Sequence, residues 1–105
     1  MAGGAVTQLD LLAAIASDRI HGTDRQAVEE AIRADATAHG GEVDPNRVRE
    51  ALRGPYGLTV YPRVIGATYS ALRQAGVIRP EGWTTSTDTE GGNAGKPART
   101  YRWVG

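Results

Sequence analysis

Apolar residues recur at helical spacing over most of the chain and switch to alternation near its end. Leu9, Leu11, Leu12, Ile15 and Ala16 follow the repeat that lines one helix face, so a helix is expected over Thr7 to Asp18, with Thr7 placed to cap it. Arg19 to Gly22 breaks this pattern. Thr23-Asp24-Arg25-Gln26 then reads as a capping box, in which a Thr hydroxyl serves an early backbone N–H and a Gln three residues on reaches back. The helix it opens keeps Ala27, Val28, Ala31, Ile32 and Ala38 broadly to one side, with Glu29, Glu30 and Asp35 on its solvent face. It stops at Gly40-Gly41, because glycine takes the left-handed conformation that a helix end needs. Asp44-Pro45 starts a third helix, Asp as cap and Pro in the first position, running through Val48, Ala51 and Leu52 to Gly54-Pro55. After a connection over Tyr56 to Tyr61, Pro62 opens a fourth helix, with either Thr59 or Tyr61 as its cap. That helix runs to Ala75 and halts at Gly76.

Beyond Gly76 the pattern becomes that of strands. Val77-Ile78 leads to a threonine-rich strand around Trp83 to Thr87. A glycine-rich tip from Glu90 to Pro97 follows, and Arg99 to Val104 forms a closing strand. The fold class expected is mainly α with a small antiparallel β-hairpin. Helix, glycine stop, strand, flexible loop, strand is the order of the recognition helix and wing in a winged helix-turn-helix. The connection between the third and fourth helices, about seven or eight residues, exceeds the tight turn of the simplest helix-turn-helix units, which winged variants accept. One compact domain is expected, with residues 1–22 as an N-terminal segment carrying a helix and residues 23–105 as the winged-helix domain.

On a wheel of about 100° per residue, Ile65, Thr68, Tyr69, Leu72 and Ala75 gather on one side of the fourth helix, expected to face the core. Arg63, Ala67, Ser70 and Gln74 gather opposite, flanked by Gly66 and Arg73. That outer stripe combines a fork donor suited to guanine, an amide suited to adenine, a methyl for thymine and a hydroxyl for either. Gly66 and Ala67 leave room for close backbone approach. In the hairpin, Lys96, Arg99 and Arg102 supply charge, and the threonine run, Thr85 and Thr87 included, supplies hydroxyls for phosphate. The same threonines also suit a half-exposed strand. The glycine-rich tip reads as flexible, a wing that steers through charge and does not read sequence. Trp103 reads as core and not as a base-stacking platform, while Trp83 sits where a large ring often closes a small core.

Charge sharpens this picture. The chain of 105 residues has a formal net charge of zero, but residues 1–44 hold three arginines against eight acids, a net of −5. Residues 45–105 hold nine basic side chains against four acids, a net of +5. A polyanion responds to the local face and not to the mean. Cysteine is absent, which removes disulfides and thiolate metal sites. His21 and His39 lie at helix ends, where an imidazole meets terminal carbonyls, and not in a metal-ligand spacing. No cofactor or metal is expected, and without a catalytic triad, P-loop or paired-carboxylate signature neither is an enzyme. No apolar run approaches a membrane span and the first residues lack a signal-peptide pattern, so a cytoplasmic location is expected. With no phenylalanine the core is thin, and a homodimer would bury more of it.

Gly66-Ala67, Ala71-Leu72, the junction Ala75-Gly76-Val77-Ile78-Arg79-Pro80, Gly82, the Thr/Ser strand and the terminal Arg-x-Tyr-Arg-Trp resemble small winged-helix proteins common in actinobacterial phages. The resemblance covers roughly residues 24–104. It implies a module that binds double-stranded DNA in transcription control, excision or replication, inside the host cytoplasm. The chain departs from that pattern in its acidic wing residues, Asp88 and Glu90. The alternative is an interaction module on the same scaffold, binding a host or phage protein.

Overall fold

A computed structural model describes the backbone of residues 8–105, with side chains from residue 23 onward. Its elements are α1 (Gln8–Ala38), β1 (Glu42–Val43), α2 (Pro45–Ala51), β2 (Arg53–Gly54), β3 (Gly57–Leu58), α3 (Pro62–Gln74), β4 (Ile78–Thr85) and β5 (Pro97–Trp103). Three helices pack with an antiparallel sheet in the order β1-β5-β4, and β2 and β3 form a small separate hairpin.

The two helices expected before Gly40 are one. α1 runs through Arg19 to Gly22 and through the capping-box sequence at Thr23 without a break. A lone glycine inside a helix costs about 1 kcal/mol. Stopping and restarting the helix would instead strand four N–H and four C=O groups at each new end. The proposed Thr7 cap, and the face assigned to Leu9, Leu11, Leu12, Ile15 and Ala16, lie outside the described residues. The expected boundary after residue 22 falls within α1.

The stops and caps follow local chemistry closely. Gly40 and Gly41 both take positive φ, and the Gly41 N–H reaches back to the Ala36 carbonyl at 2.8 Å, closing α1. Asp44 caps α2 by accepting the Asn46 N–H at 2.8 Å, with Pro45 in the first turn. Tyr61 is the residue at the N-cap of α3, and its side chain makes no capping hydrogen bond to the helix. Gly76, φ 76°, ends α3, and the Val77 N–H bonds to the Leu72 carbonyl at 2.9 Å.

Burial corrects three expectations. On α1, Val28, Ile32 and Ala36 enter the core and Ala38 does not. Asp35, expected on the solvent face, is buried: it accepts from the Asp44 N–H and from Arg47 Nε, each at 2.8 Å. A buried carboxylate is tolerable where such donors replace its water. On α3, Thr68 and Tyr69 are buried, Ile65 and Leu72 are half-buried as expected, and Ala75 is exposed at the cap. The core closes with Val43, Val48, Leu52, Val60 and Ile78, and Tyr69 of α3 stacks on Tyr101 of β5 at 5.3 Å between centroids. Trp103 packs at the edge of this core under the Arg33 guanidinium.

The hairpin is longer than expected and starts earlier. β4 begins at Ile78, because pairing with β5 continues down to Ile78↔Trp103. Pro80 is accommodated because β4 is an edge strand. Glu81 has no cross-strand partner and forms a bulge between the pairs Pro80↔Tyr101 and Gly82↔Thr100. No helix among the described residues is long and apolar enough to cross a membrane.

Candidate nucleic-acid interface

The outer stripe of α3 emerges as the wheel projected it. Arg63, Gly66, Ala67, Ser70, Arg73 and Gln74 are all exposed. A Cβ built on Gly66 meets nothing within 4 Å, so this part of the helix surface is open to a close approach. Arg63 lies over the ring of Tyr61, 5.5 Å from its centroid, at the helix N-terminal end.

Ion pairing divides the basic residues into two groups. Arg47 serves Asp35, Glu42 and Asp44, and these acids hold its pKa above the ordinary arginine value. Arg53 bridges Glu50 at 3.1 Å and Glu90 at 2.8 Å, which raises its pKa likewise. Arg49 faces Asp88 at 3.9 Å. Arg102, expected to be a contact for phosphate, is engaged by Glu81 and donates to the Gly40 carbonyl at 3.0 Å. It thereby ties β5 to the end of α1. Arg25 and Arg33 of α1 have no carboxylate partner among the described residues, and in the C-terminal half neither do five others: Arg63, Arg73, Arg79, Lys96 and Arg99. All five belong to α3 or to the β4–β5 hairpin.

The loop between β4 and β5 is built, not slack. Its base closes through Ser86 N–H to Lys96 O and Gly95 N–H to Ser86 O, both 2.8 Å. Within it, the Asp88 carboxylate accepts the Gly91 N–H at 2.8 Å and the Asn93 amide at 3.1 Å. Those bonds, with Arg49 and Arg53 nearby, hold the Asp88 pKa below the usual aspartate range. A Cβ on Gly91 would collide with that carboxylate, so glycine here serves compactness as well as freedom. The loop is also docked. Asn46 of α2 donates its amide to the Thr85 carbonyl at 2.8 Å and accepts the Thr87 N–H at 3.0 Å. The acids Asp88 and Glu90, which made the tip look ill-suited to phosphate, are spent on Arg49 and Arg53. Thr85, Thr87 and Lys96 keep exposed side chains, and Arg99 lies over the exposed ring of Trp83, 3.9 Å from its centroid.

Two contributors escaped the sequence reading. Asn46 fixes the loop to α2 and carries no signal beyond its place after a capped proline. Arg79 joins the unpaired cations, and its position in the recognisable Gly76 to Pro80 junction was the available clue. His39 meets the Asp35 carbonyl at 2.9 Å, the terminal-carbonyl role expected of it. No group of three or more His, Asp or Glu among the described residues is arranged to hold a metal ion. A groove of about 530 Å³ lies between α1 and the end of α3, lined by Leu72, Val77 and Trp103 together with Gln26, Glu29, Glu30 and Arg33. Compared with models of known protein families, with curated proteins and with solved structures, the chain matches none.

Proposed function

We propose that this protein is a winged helix-turn-helix module that binds double-stranded DNA, of the kind that actinobacterial phages use in transcription control, excision or replication. The element order helix, strand, helix, helix, hairpin, with the first strand pairing to the last, supports the winged-helix reading, the connection between α2 and α3 being itself the small β2–β3 hairpin. The observation that carries the function is the gathering of all five carboxylate-free cations of the C-terminal half on α3 and the hairpin. α3 offers its outer stripe to a major groove, and the hairpin offers Lys96, Arg99 and the exposed threonines to phosphates.

Titrating a labelled duplex of random sequence at several salt concentrations tests this. If all five cations meet phosphates, log Kobs falls against log[salt] with a slope of about −4 to −5. A flat salt response sinks the proposal. A protein-interaction module is the second reading, favoured by the groove between α1 and α3, where Leu72, Val77 and Trp103 lie beside charged side chains of both signs. It takes the lead if duplex binding is absent at low salt.

A further inference from the structure

We infer that Trp83 and Arg99 form a stacking site for an unpaired nucleobase, so that the preferred ligand is a duplex carrying a single-stranded extension. This inference rests on the duplex-binding reading and adds a second contact to it.

Aromatic side chains are scarce here, two tryptophans and four tyrosines in the whole chain. A thin core would be expected to use all of them, because each large ring buries more apolar surface than any other side chain. Tyr69, Tyr101 and Trp103 do serve it. Tyr56, Tyr61 and Trp83 do not, and of these Trp83 alone stands on the β4–β5 hairpin, 62% exposed beside a cation without a carboxylate partner.

Its orientation is the product of a specific backbone feature. With regular pairing after Pro80↔Tyr101, Trp83 would lie opposite Ala98. The bulge at Glu81 shifts the register by one and sets Trp83 opposite Arg99 instead. Bulges re-aim side chains in this way beside functional surfaces. The shift carries Trp83 to the sheet face that holds Tyr101, the ring that stacks on α3, one pair farther out towards the loop. Past the bulge this is the exposed side of the hairpin, because Thr100 and Ser86 on the other side are the buried positions and α2 docks at the loop base through Asn46.

The neighbours fix the chemistry of the occupant. Arg99 lies 3.9 Å from the Trp83 ring centroid and has no carboxylate partner among the described residues. The next pair outward on that face is Thr85↔Pro97, with the Thr85 side chain exposed, while Lys96, exposed at the loop base, lies across from Ser86 and alternates to the other face. Arg99 covers one side of the indole, and the exposed remainder of this stacked Trp83–Arg99 pair, with the Thr85 hydroxyl beside it, suits a planar base joined to a phosphate. In a closed duplex, bases show only their edges; an unpaired strand shows its faces.

The test uses the full chain with two ligands, a blunt duplex and the same duplex bearing a short oligo(dT) tail. The tailed duplex should bind about tenfold more tightly, and tail binding should quench tryptophan fluorescence. Trp83→Ala should abolish the tenfold gain and leave blunt-duplex affinity unchanged, whereas Trp83→Phe should keep most of it. Arg99→Gln provides a second variant, expected to reduce the gain and to lower the salt slope on tailed DNA. Because Trp83 is largely exposed, both tryptophan variants should melt with the parent protein. Equal affinity for tailed and blunt duplexes, or an equal loss on both in Trp83→Ala, overturns the stacking site and leaves the duplex reading standing. Binding to neither ligand overturns both.

Discussion

The arginines of α2 and those of α3 with the hairpin carry the same charge and do different work. Around α2, Arg47, Arg49 and Arg53 each face at least one acid, and these pairs join α2 to α1, to β1 and to the loop beyond β4. On α3 and along the hairpin, Arg63, Arg73, Arg79, Lys96 and Arg99 face none among the described residues. The charge available to a partner is therefore the residue left after internal pairing, not the sum over a stretch of sequence. Arg102 shows the difference: it lies in the basic half and on the hairpin, yet Glu81 and the Gly40 carbonyl occupy it.

The largest effect should come from the paired group. Arg47→Met removes the donor that neutralises Asp35, a carboxylate whose side chain is only 6% exposed. Losing that ion pair should cost about 2–3 kcal/mol of stability, reduced from the fully buried case because Arg47 itself is partly solvated and because the Asp44 N–H and the His39 ring still meet the carboxylate. Urea denaturation measures this, and DNA affinity of the folded variant should not move. If stability held and DNA affinity fell, Arg47 would belong with the second group and the division would fail.

Local signals were legible and long-range ones were not. The Asp44-Pro45 start of α2 and the stops at Gly40-Gly41 and Gly76 depend on a few neighbouring residues, so each stands in the structure where the sequence placed it. The outer stripe of α3 was legible for the same reason, since periodicity alone sets it. Asp35 was misplaced because nothing near it in sequence announces Arg47, twelve residues on. The loop looked slack because its glycines were visible, while Asn46, which holds it, lies 39 and 41 residues away from the groups it bonds. The early start of β4 was hidden by Pro80, which is acceptable only because that strand lies at an edge. The continuity of α1 was hidden by a plausible capping box at Thr23, a local preference overruled by the cost of interrupting a long helix.

Within the unpaired group, Arg63 should carry the largest share of discrimination. Arg63→Ala should lower affinity for a preferred site by about 1–3 kcal/mol and for random duplex far less, if its fork contacts a guanine edge. Competition between the two DNAs reads this directly. Equal losses on both would make Arg63 a phosphate contact, no different in kind from Lys96. The melting temperature should stay unchanged, in contrast to Arg47→Met.

A smaller contrast separates two cations on the same hairpin. Lys96→Ala should reduce the salt slope by about one unit on any sequence. Arg102→Ala should leave the slope as it is, because Glu81 already neutralises that guanidinium. A reduced slope in Arg102→Ala would show that DNA draws Arg102 away from Glu81, and the pairing seen in the free protein would then be a poor guide to the bound one.

The smallest effect concerns the acid that organises the loop. Asp88 has a folded pKa held down by the Gly91 N–H first and the Asn93 amide second. A depressed folded pKa means that the ionised form stabilises the folded loop, so this contribution is whole above the unfolded value of about 3.9. It drains away as pH falls through the lower folded value. Loop order, followed by exchange of the Gly91 and Asn93 amides, should hold from pH 7 to about 5 and weaken only in more acid solution. Asp88→Asn should remove that acid limb and loosen the loop modestly at neutral pH, since an amide oxygen still accepts the Gly91 N–H but no longer carries charge towards Arg49 and Arg53. Those two arginines would then be partly released, and the mutant's DNA salt slope should steepen by a fraction of a unit. A slope that flattened instead would mean that a docked loop is needed to present Lys96, and that the paired and unpaired groups act as one unit.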